Sequence, residues 1–146
     1  MQWRDFDFDV FFQGIGKKDV VLGGNQFWGF GNEWHVPFKH ALDSWTEDNR
    51  NAYFPRSTYD NVTGNRETQT RYLQNAAYLR LKSITLGYSL PKVLLAKWKI
   101  DHVRFYVSGQ NLLTFDHLFD IYDPETVSLS TYPLTKSVSF GLNITL

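Results

Sequence analysis

Four stretches of this chain alternate apolar and polar residues with the period of two that a β-strand imposes. In the first, Phe6, Phe8, Val10 and Phe12 share one face, and Asp5, Asp7 and Asp9 share the other. In the second, Ile84, Leu86, Tyr88 and Leu90 alternate with Thr85, Gly87 and Ser89. In the third, Val103, Phe105 and Val107 alternate with Arg104, Tyr106 and Ser108. The fourth is the cleanest: Val138, Phe140, Leu142, Ile144 and Leu146 lie on one face, and Ser139, Gly141, Asn143 and Thr145 on the other. The second stretch carries a defect. Leu79 and Leu81 have the opposite parity to Ile84, and Arg80 and Lys82 share its parity. A bulge near Ser83 would swap the faces in this way, and so would a strand that leaves its apolar environment there.

The links between these stretches are uneven. Residues 15–75 form one long link and 114–136 a second. Between them, 91–101 is short, and Pro91 with Val93, Leu94, Lys97 and Trp98 at helical spacing predicts a small helix. The long link holds another helix candidate near Phe38–Trp45. It also has glycine-rich turns at Gly14–Gly16, Gly23–Gly24 and Gly29–Gly31.

Composition narrows the class. The 146 residues include 12 Phe, 8 Tyr and 5 Trp, and Val, Ile and Thr add 26, whereas Ala, Glu and Met total ten. This balance excludes a helical bundle, and the aromatic load excludes disorder. Fifteen basic residues match fifteen acidic ones, so there is no electrostatic footprint for nucleic acid. The absence of cysteine removes disulfides and thiol chemistry. The opening residues have no basic n-region and do not read as a signal peptide. No apolar run approaches the roughly 20 residues of a membrane helix.

Alternation alone does not say which face is dry. In a soluble sandwich the Phe face meets a core and the Asp face meets water. In a membrane barrel the Phe face meets lipid and the Asp face the lumen. Strand segments of about 9–12 residues, and links that alternate long, short and long, suit the barrel.

Five motifs carry a resemblance. Trp45–Arg56 reads WTEDNRNAYFPR, and Ala76–Pro91 reads AAYLRLKSITLGYSLP. From Val103 the chain reads VRFYVSGQNLLTF, from Tyr122 YDPE, and its end YPLTKSVSFGLNITL. In this order and spacing they resemble the C-terminal end of the SusC/RagA family, the TonB-linked outer-membrane transporters of Bacteroidetes. The resemblance implies an all-β fold. The chain would be the last four antiparallel strands of an outer-membrane barrel of about 22 strands, with short helices in the links. All of residues 1–146 would belong to the C-terminal part of that barrel, with plug, signal peptide and earlier strands outside the chain. The whole protein would import oligomeric nutrients, glycans or peptides. Its partners would be the rest of the barrel and its plug, a SusD-like surface lipoprotein lid, TonB, the barrel assembly machinery and outer-membrane lipid. The C-terminus would be periplasmic, links 15–75 and 114–136 extracellular, and link 91–101 periplasmic. Arg80 and Lys82 would then stand above the bilayer. The resemblance also makes Ser139, Gly141, Ile144 and Leu146 an assembly signal, with Leu146 where phenylalanine is usual.

Site chemistry is sparse. Asp5, Asp7 and Asp9 could supply a hydrolase's acid and base, yet nothing marks one of them for a raised pKa, and a polar lumen-facing row is the expectation. His35, His40, His102 and His117 have no metal-ligand spacing. Asp116, Asp120, Asp123 and Glu125 lack the spacing of a calcium loop and read as a solvated turn. Gly14-Ile15-Gly16-Lys17-Lys18 reads as a turn, and Asn61-Val62-Thr63 as an idle glycosylation triplet. No enzyme activity and no cofactor are expected. The aromatic link is different, because Phe27, Trp28, Phe30, Trp34, Phe38, Trp45, Tyr53 and Phe54 crowd it. Aromatic rings stack on sugars and anchor interfaces. Trp28, Trp34 and Trp45 are the candidates for ligand or partner contact, and the other rings are expected to pack the loop. The alternative is a soluble β-sandwich carbohydrate-binding module using the same Trp-rich loop.

Overall fold

A computed structural model describes residues 1–29, 34, 36–58, 64–96, 100–132 and 134–146. Phe30, Gly31, His35, the Asn61-Val62-Thr63 triplet and the Lys97–Trp98 part of the short helix lie outside the described residues. The chain divides into a sheet unit, Met1–Lys18 with Ala76–Leu146, and a loop unit, Asp19–Asn75.

The strands in chain order are β1 (Gln2–Trp3), β2 (Phe6–Ile15), β3 (Asp19–Val21), β4 (Leu73–Asn75), β5 (Tyr78–Ser89), β6 (His102–Asp116) and β7 (Ser137–Thr145). The sheet unit is antiparallel, in the order β1-β2-β5-β6-β7. Four long strands match the four alternating stretches, and β1 adds a two-residue arm folded back through Arg4, whose φ is 53°. β2 extends through Gly14 and Ile15, so the Gly14–Lys18 turn of the sequence reading begins later than expected. Gly14 pairs with Leu79, and a Cβ on it would strike the Tyr78 carbonyl. The short helix is a single turn, Lys92–Leu95, with Leu95 buried and Val93 and Leu94 exposed. The sheet does not close on itself, and β7 presents an outer edge with no partner strand among the described residues.

The parity defect is a bulge. Phe11 faces Ser83 and Phe12 faces Leu81, so Lys82 is the extra residue on β5. On the other side Ser83 faces Gln110 and Leu81 faces Leu113, so β6 carries Asn111 and Leu112 against it. Asn111 takes φ 52°, a left-handed conformation that its short polar side chain tolerates better than most residues. The bulge returns Leu81 and Leu79 to the side of Ile84 and Leu86, and Arg80 goes to the other side. A strand that leaves its apolar environment is therefore not needed to explain the sequence.

The loop unit has a separate interior. β3 and β4 pair from Asp19↔Asn75 to Val21↔Leu73 and close its ends. Between them, Leu22, Phe27, Ala41, Ala52, Phe54 and Tyr72 are buried. Phe27 is fully enclosed, with Trp28, Phe54 and Tyr72 set edge-on to it at centroid distances of 5.0, 5.1 and 5.9 Å. The helix expected near Phe38–Trp45 is a 3₁₀ turn, Lys39–Leu42. His40 Nε2 lies 2.9 Å from the Phe27 carbonyl. Asp43 organises the next segment, accepting from the Asn49 amide at 3.1 Å and the Tyr53 backbone N–H at 3.2 Å.

Candidate functional site

Cross-strand register sorts the sheet into two faces. One face stacks Phe6, Tyr88, Phe105 and Leu142, then Phe8, Leu86, Val107 and Phe140, then Val10, Ile84, Gly109 and Val138, and beyond the bulge Phe12, Leu81 and Leu113. Most of these large side chains are exposed, from Phe8 at 38% to Phe140 at 84%. A soluble monomer rarely presents an apolar patch of this extent, and lipid tolerates one. The long strands have 10, 12, 15 and 9 residues, which suits a tilted crossing of the hydrocarbon layer. No described helix is long and apolar enough to cross a membrane, which leaves strand crossing untouched.

The opposite face is polar and interlocked over most of its length, with Phe11 and Ile15 as its apolar exceptions on β2. Asp7, Gly87, Tyr106 and Gly141 form one row across four strands, and Asp9, Thr85, Ser108 and Ser139 the next. Arg104 reaches across β5 to Asp7, with Nε 2.8 Å from Oδ1 and Nη2 2.5 Å from Oδ2. This bidentate pair passes over Gly87, where a Cβ would overlap both the carboxylate and the guanidinium. The guanidinium also stands 5.1 Å over the Tyr106 ring, and that ring occupies the space a Cβ on Gly141 would need. The aspartate row is therefore a structural one at Asp7, whose carboxylate is committed to Arg104.

Of the acidic residues expected in a solvated turn, Asp123 and Glu125 are instead paired, while Asp120 is exposed. Arg80, almost wholly buried, places Nη2 2.6 Å from Asp123 Oδ2, Nη1 2.8 Å from Glu125 Oε2 and Nε 2.9 Å from Thr114 Oγ1. Lys82 Nζ sits 2.9 and 2.7 Å from the two Glu125 oxygens. Lys18 Nζ donates to the Pro124 carbonyl at 2.9 Å. Two cations of β5 and Lys18, just beyond the end of β2, thus latch the YDPE turn. The bulge makes the latch possible, because without it Arg80 would stand on the apolar side. Burial raises the Tyr122 phenol above its usual value at the start of the same turn. Both partners were visible in the sequence, but pairing residues some 43 positions apart needed the register.

Trp28, Trp34 and Trp45 take three different settings. Trp28 is half-buried in the loop unit, 4.7 Å from the Tyr72 ring. Trp34 is 84% exposed. Trp45 stands on the rim of a hollow of about 570 Å³, held by its backbone N–H to the Phe54 carbonyl at 3.0 Å. Sequence reasoning did not find the arginines that share this hollow, Arg50, Arg56 and Arg71. Two of them lie in the WTEDNRNAYFPR run, so the signal was present but unread. In β7, Ser139 and Gly141 lie on the polar face, opposite Ser108 and Tyr106. Ile144 lies on the apolar face opposite Val103, and Leu146 follows the strand.

No family model matches the chain. TonB-dependent receptor P26 of Formosa agariphila is 26% identical over 161 residues, an alignment covering 99% of this chain and 16% of the receptor. TonB-dependent receptor P3 of the same organism is 27% identical over 159 residues, covering 99% and 15%. The RagAB peptide importer in its open-open state superimposes with a TM-score of 0.72 at 28% identity, over 99% of this chain and 16% of that one. Its closed-closed state gives 0.70 at 28% identity, over 97% of this chain. The chain spans about one sixth of the length of the curated relatives it matches. The likeness to the SusC/RagA family of TonB-linked outer-membrane transporters, read first from the motifs, thus holds across the chain in both sequence and fold.

Proposed function

We propose that this chain is the C-terminal part of the barrel wall of a TonB-dependent outer-membrane transporter that imports oligomeric nutrients, glycans or peptides. The whole transporter works with a SusD-like surface lipoprotein, toward which Trp28, Trp34 and Trp45 are candidate contacts, and draws on TonB through a part outside this chain. The segment contributes four strands, two extracellular links and, in Ser139, Gly141, Ile144 and Leu146, the signal read by the barrel assembly machinery. Its C-terminus is periplasmic. It contributes wall and loops rather than catalysis.

The observation that carries this reading is the outward apolar face, continuous over four antiparallel strands and backed by a polar, hydrogen-bonded face. Lipid on one side and a hydrated lumen on the other satisfy both faces at once. The relatives are receptors and importers, which supports the transport role.

The cysteine-free sequence makes the test clean. Single cysteines are placed at Ser57, in the loop unit, and at Val93, in the short turn, both exposed. A membrane-impermeant maleimide applied to intact cells is expected to label Ser57→Cys at once and Val93→Cys only after the outer membrane is opened. Equal labelling of both, or recovery of the protein in the aqueous fraction without detergent, overturns the reading in favour of the soluble binding module.

A further inference from the structure

The loop unit carries an arginine-rich hollow that none of the transporter features above uses. Its volume is about 570 Å³. Among the described residues its lining has three arginines, Arg50, Arg56 and Arg71, and no carboxylate. Trp45 and the amides of Asn51 and Asn65 complete the part that a ligand would meet. Trp45 and Arg56 also line an adjoining hollow of about 460 Å³, whose other walls carry the hydroxyls of Ser44, Thr46 and Ser57 and the carboxylate of Glu47. The two residues therefore form a ridge between a cationic hollow and one lined by hydroxyls and the Glu47 carboxylate.

The three cations are unequal. Arg71 is fixed, donating from Nε to the Tyr53 carbonyl at 3.0 Å and from Nη2 to the Ala52 carbonyl at 2.7 Å. Arg50 spends Nε on the Glu47 carbonyl at 3.2 Å and keeps its two terminal amino groups. Arg56 is exposed, with its planar fork of donors open to the hollow. Such a fork matches a carboxylate or sulfate bidentately. The indole of Trp45, 37% exposed, gives a flat apolar surface of the kind that stacks on a sugar ring. Amides and hydroxyls both donate and accept, as sugar hydroxyls require. A peptide would call for apolar slots for its side chains, and the walls of the arginine hollow are mainly polar.

We propose that this ridge and its two hollows bind an acidic oligosaccharide, a glycan bearing carboxylate or sulfate groups. Its anionic group sits on Arg56 and Arg50, one ring rests on Trp45, and the next sugar turns its hydroxyls to Ser44, Ser57 and the accepting Glu47 carboxylate in the second hollow. The inference rests on the transporter reading for its biological role, since it narrows the imported nutrient to an acidic glycan.

The test uses the full chain in detergent micelles, with oligogalacturonate as the probe. Its neutral methyl ester and a glutamate peptide of matched length serve as comparisons. Calorimetry is expected to show binding of the oligogalacturonate, with at least about tenfold weaker binding of the ester and the peptide. Arg56→Gln should weaken binding by about tenfold or more, as loss of a charge-assisted pair does. Arg56→Lys should recover part of that loss, and Trp45→Ala should weaken both the acid and the ester. Arg56 and Trp45 lie outside the buried core, so these variants leave the fold intact. Equal affinity for acid and ester, a tighter peptide, or no effect of Arg56→Gln overturns the proposal. A chain that inserts in membranes but ignores oligogalacturonate refutes this inference alone. A chain that binds it but stays in the aqueous fraction upholds the site and refutes the transporter reading.

Discussion

The two units spend a similar aromatic endowment in opposite directions. In the loop unit, Phe27, Phe54 and Tyr72 turn inward to form a core, while Trp34 and Phe38 stay at the surface. In the sheet unit, Phe8, Phe105 and Phe140 turn outward, and the ion pairs of Arg104 and Arg80 sit on the opposite face. Burial follows from the solvent each surface meets. An aromatic ring leaves water when it is packed, but it need not be packed if lipid is its solvent. The polar groups obey the same rule. Asp7 and Arg104 satisfy each other across β5, whereas Asp43 in the loop unit satisfies backbone and amide donors close to it in sequence.

Substitutions can break this contrast. The largest effect is expected at Phe27, because it is fully enclosed by other rings. Phe27→Ala should destabilise the loop unit by about 3–5 kcal/mol, through lost transfer energy and the cavity left behind. Urea unfolding in detergent, followed by tryptophan fluorescence, reads this. The sheet's far-ultraviolet circular dichroism should persist at urea concentrations where the loop unit has already opened.

The next effect tests the outward face directly. Phe8→Arg should cost about 2–4 kcal/mol in a bilayer if Phe8 stands near the midplane. Asp9→Arg, one residue along and on the polar face, should change stability by no more than about 0.5 kcal/mol. Folding titrations in lipid vesicles measure both. Equal costs would mean that the two faces meet the same solvent, and the contrast between the units would collapse.

Removing the latch cation comes third. Arg80→Ala leaves Asp123 and Glu125, whose side chains are 21% and 27% exposed and so can rehydrate in part. Lys82 still holds Glu125. The expected loss is therefore about 2–3 kcal/mol, below the usual range for a broken buried pair. Hydrogen exchange should speed up at the Glu125 amide, which the turn now shelters at 2.9 Å from Asp123 Oδ1.

A smaller effect is expected at the interlocked row. Gly141→Ala puts a methyl into the Tyr106 ring, at a cost of about 1–2 kcal/mol as the ring is displaced. Tyr106→Ala should cancel most of that cost in the double variant, which a thermal melt in detergent would show. Without such coupling, the close approach of Tyr106 would not be what requires glycine at position 141.

The smallest effect depends on pH. Burial holds the Tyr72 phenol above the usual tyrosine value of 10.0. The neutral form is thus favoured in the fold, and the folded value lies above the unfolded one. Its contribution is fully present below pH 10 and is lost as pH rises through the folded value. Urea midpoints of the loop unit should fall on the alkaline side, and less so in Tyr72→Phe.

Much of the sheet was legible because its determinants are local. A period of two over six to ten residues marks a strand wherever it occurs, and Phe6–Phe12 and Val138–Leu146 needed no other information. The motif order carried the family likeness for the same reason, since it is a property of the string. Three things were not local. The swap at Arg80–Ser83 admitted two explanations, and only the register with β2 and β6 selected the bulge. Asp123 and Glu125 read as solvated because their cations lie some 43 positions away. Arg50, Arg56 and Arg71 meet only after the segment around Asp43 turns back on itself.

Alternation along the chain was enough to show which residues share a face within each unbroken run, because backbone geometry fixes it there; the swap at Arg80–Ser83 and the full strand lengths came only with the register. The sequence by itself could not determine which face is dry or which charges are paired. Those depend on what lies across a strand or a turn, and contacts between distant residues exist only once the chain has folded.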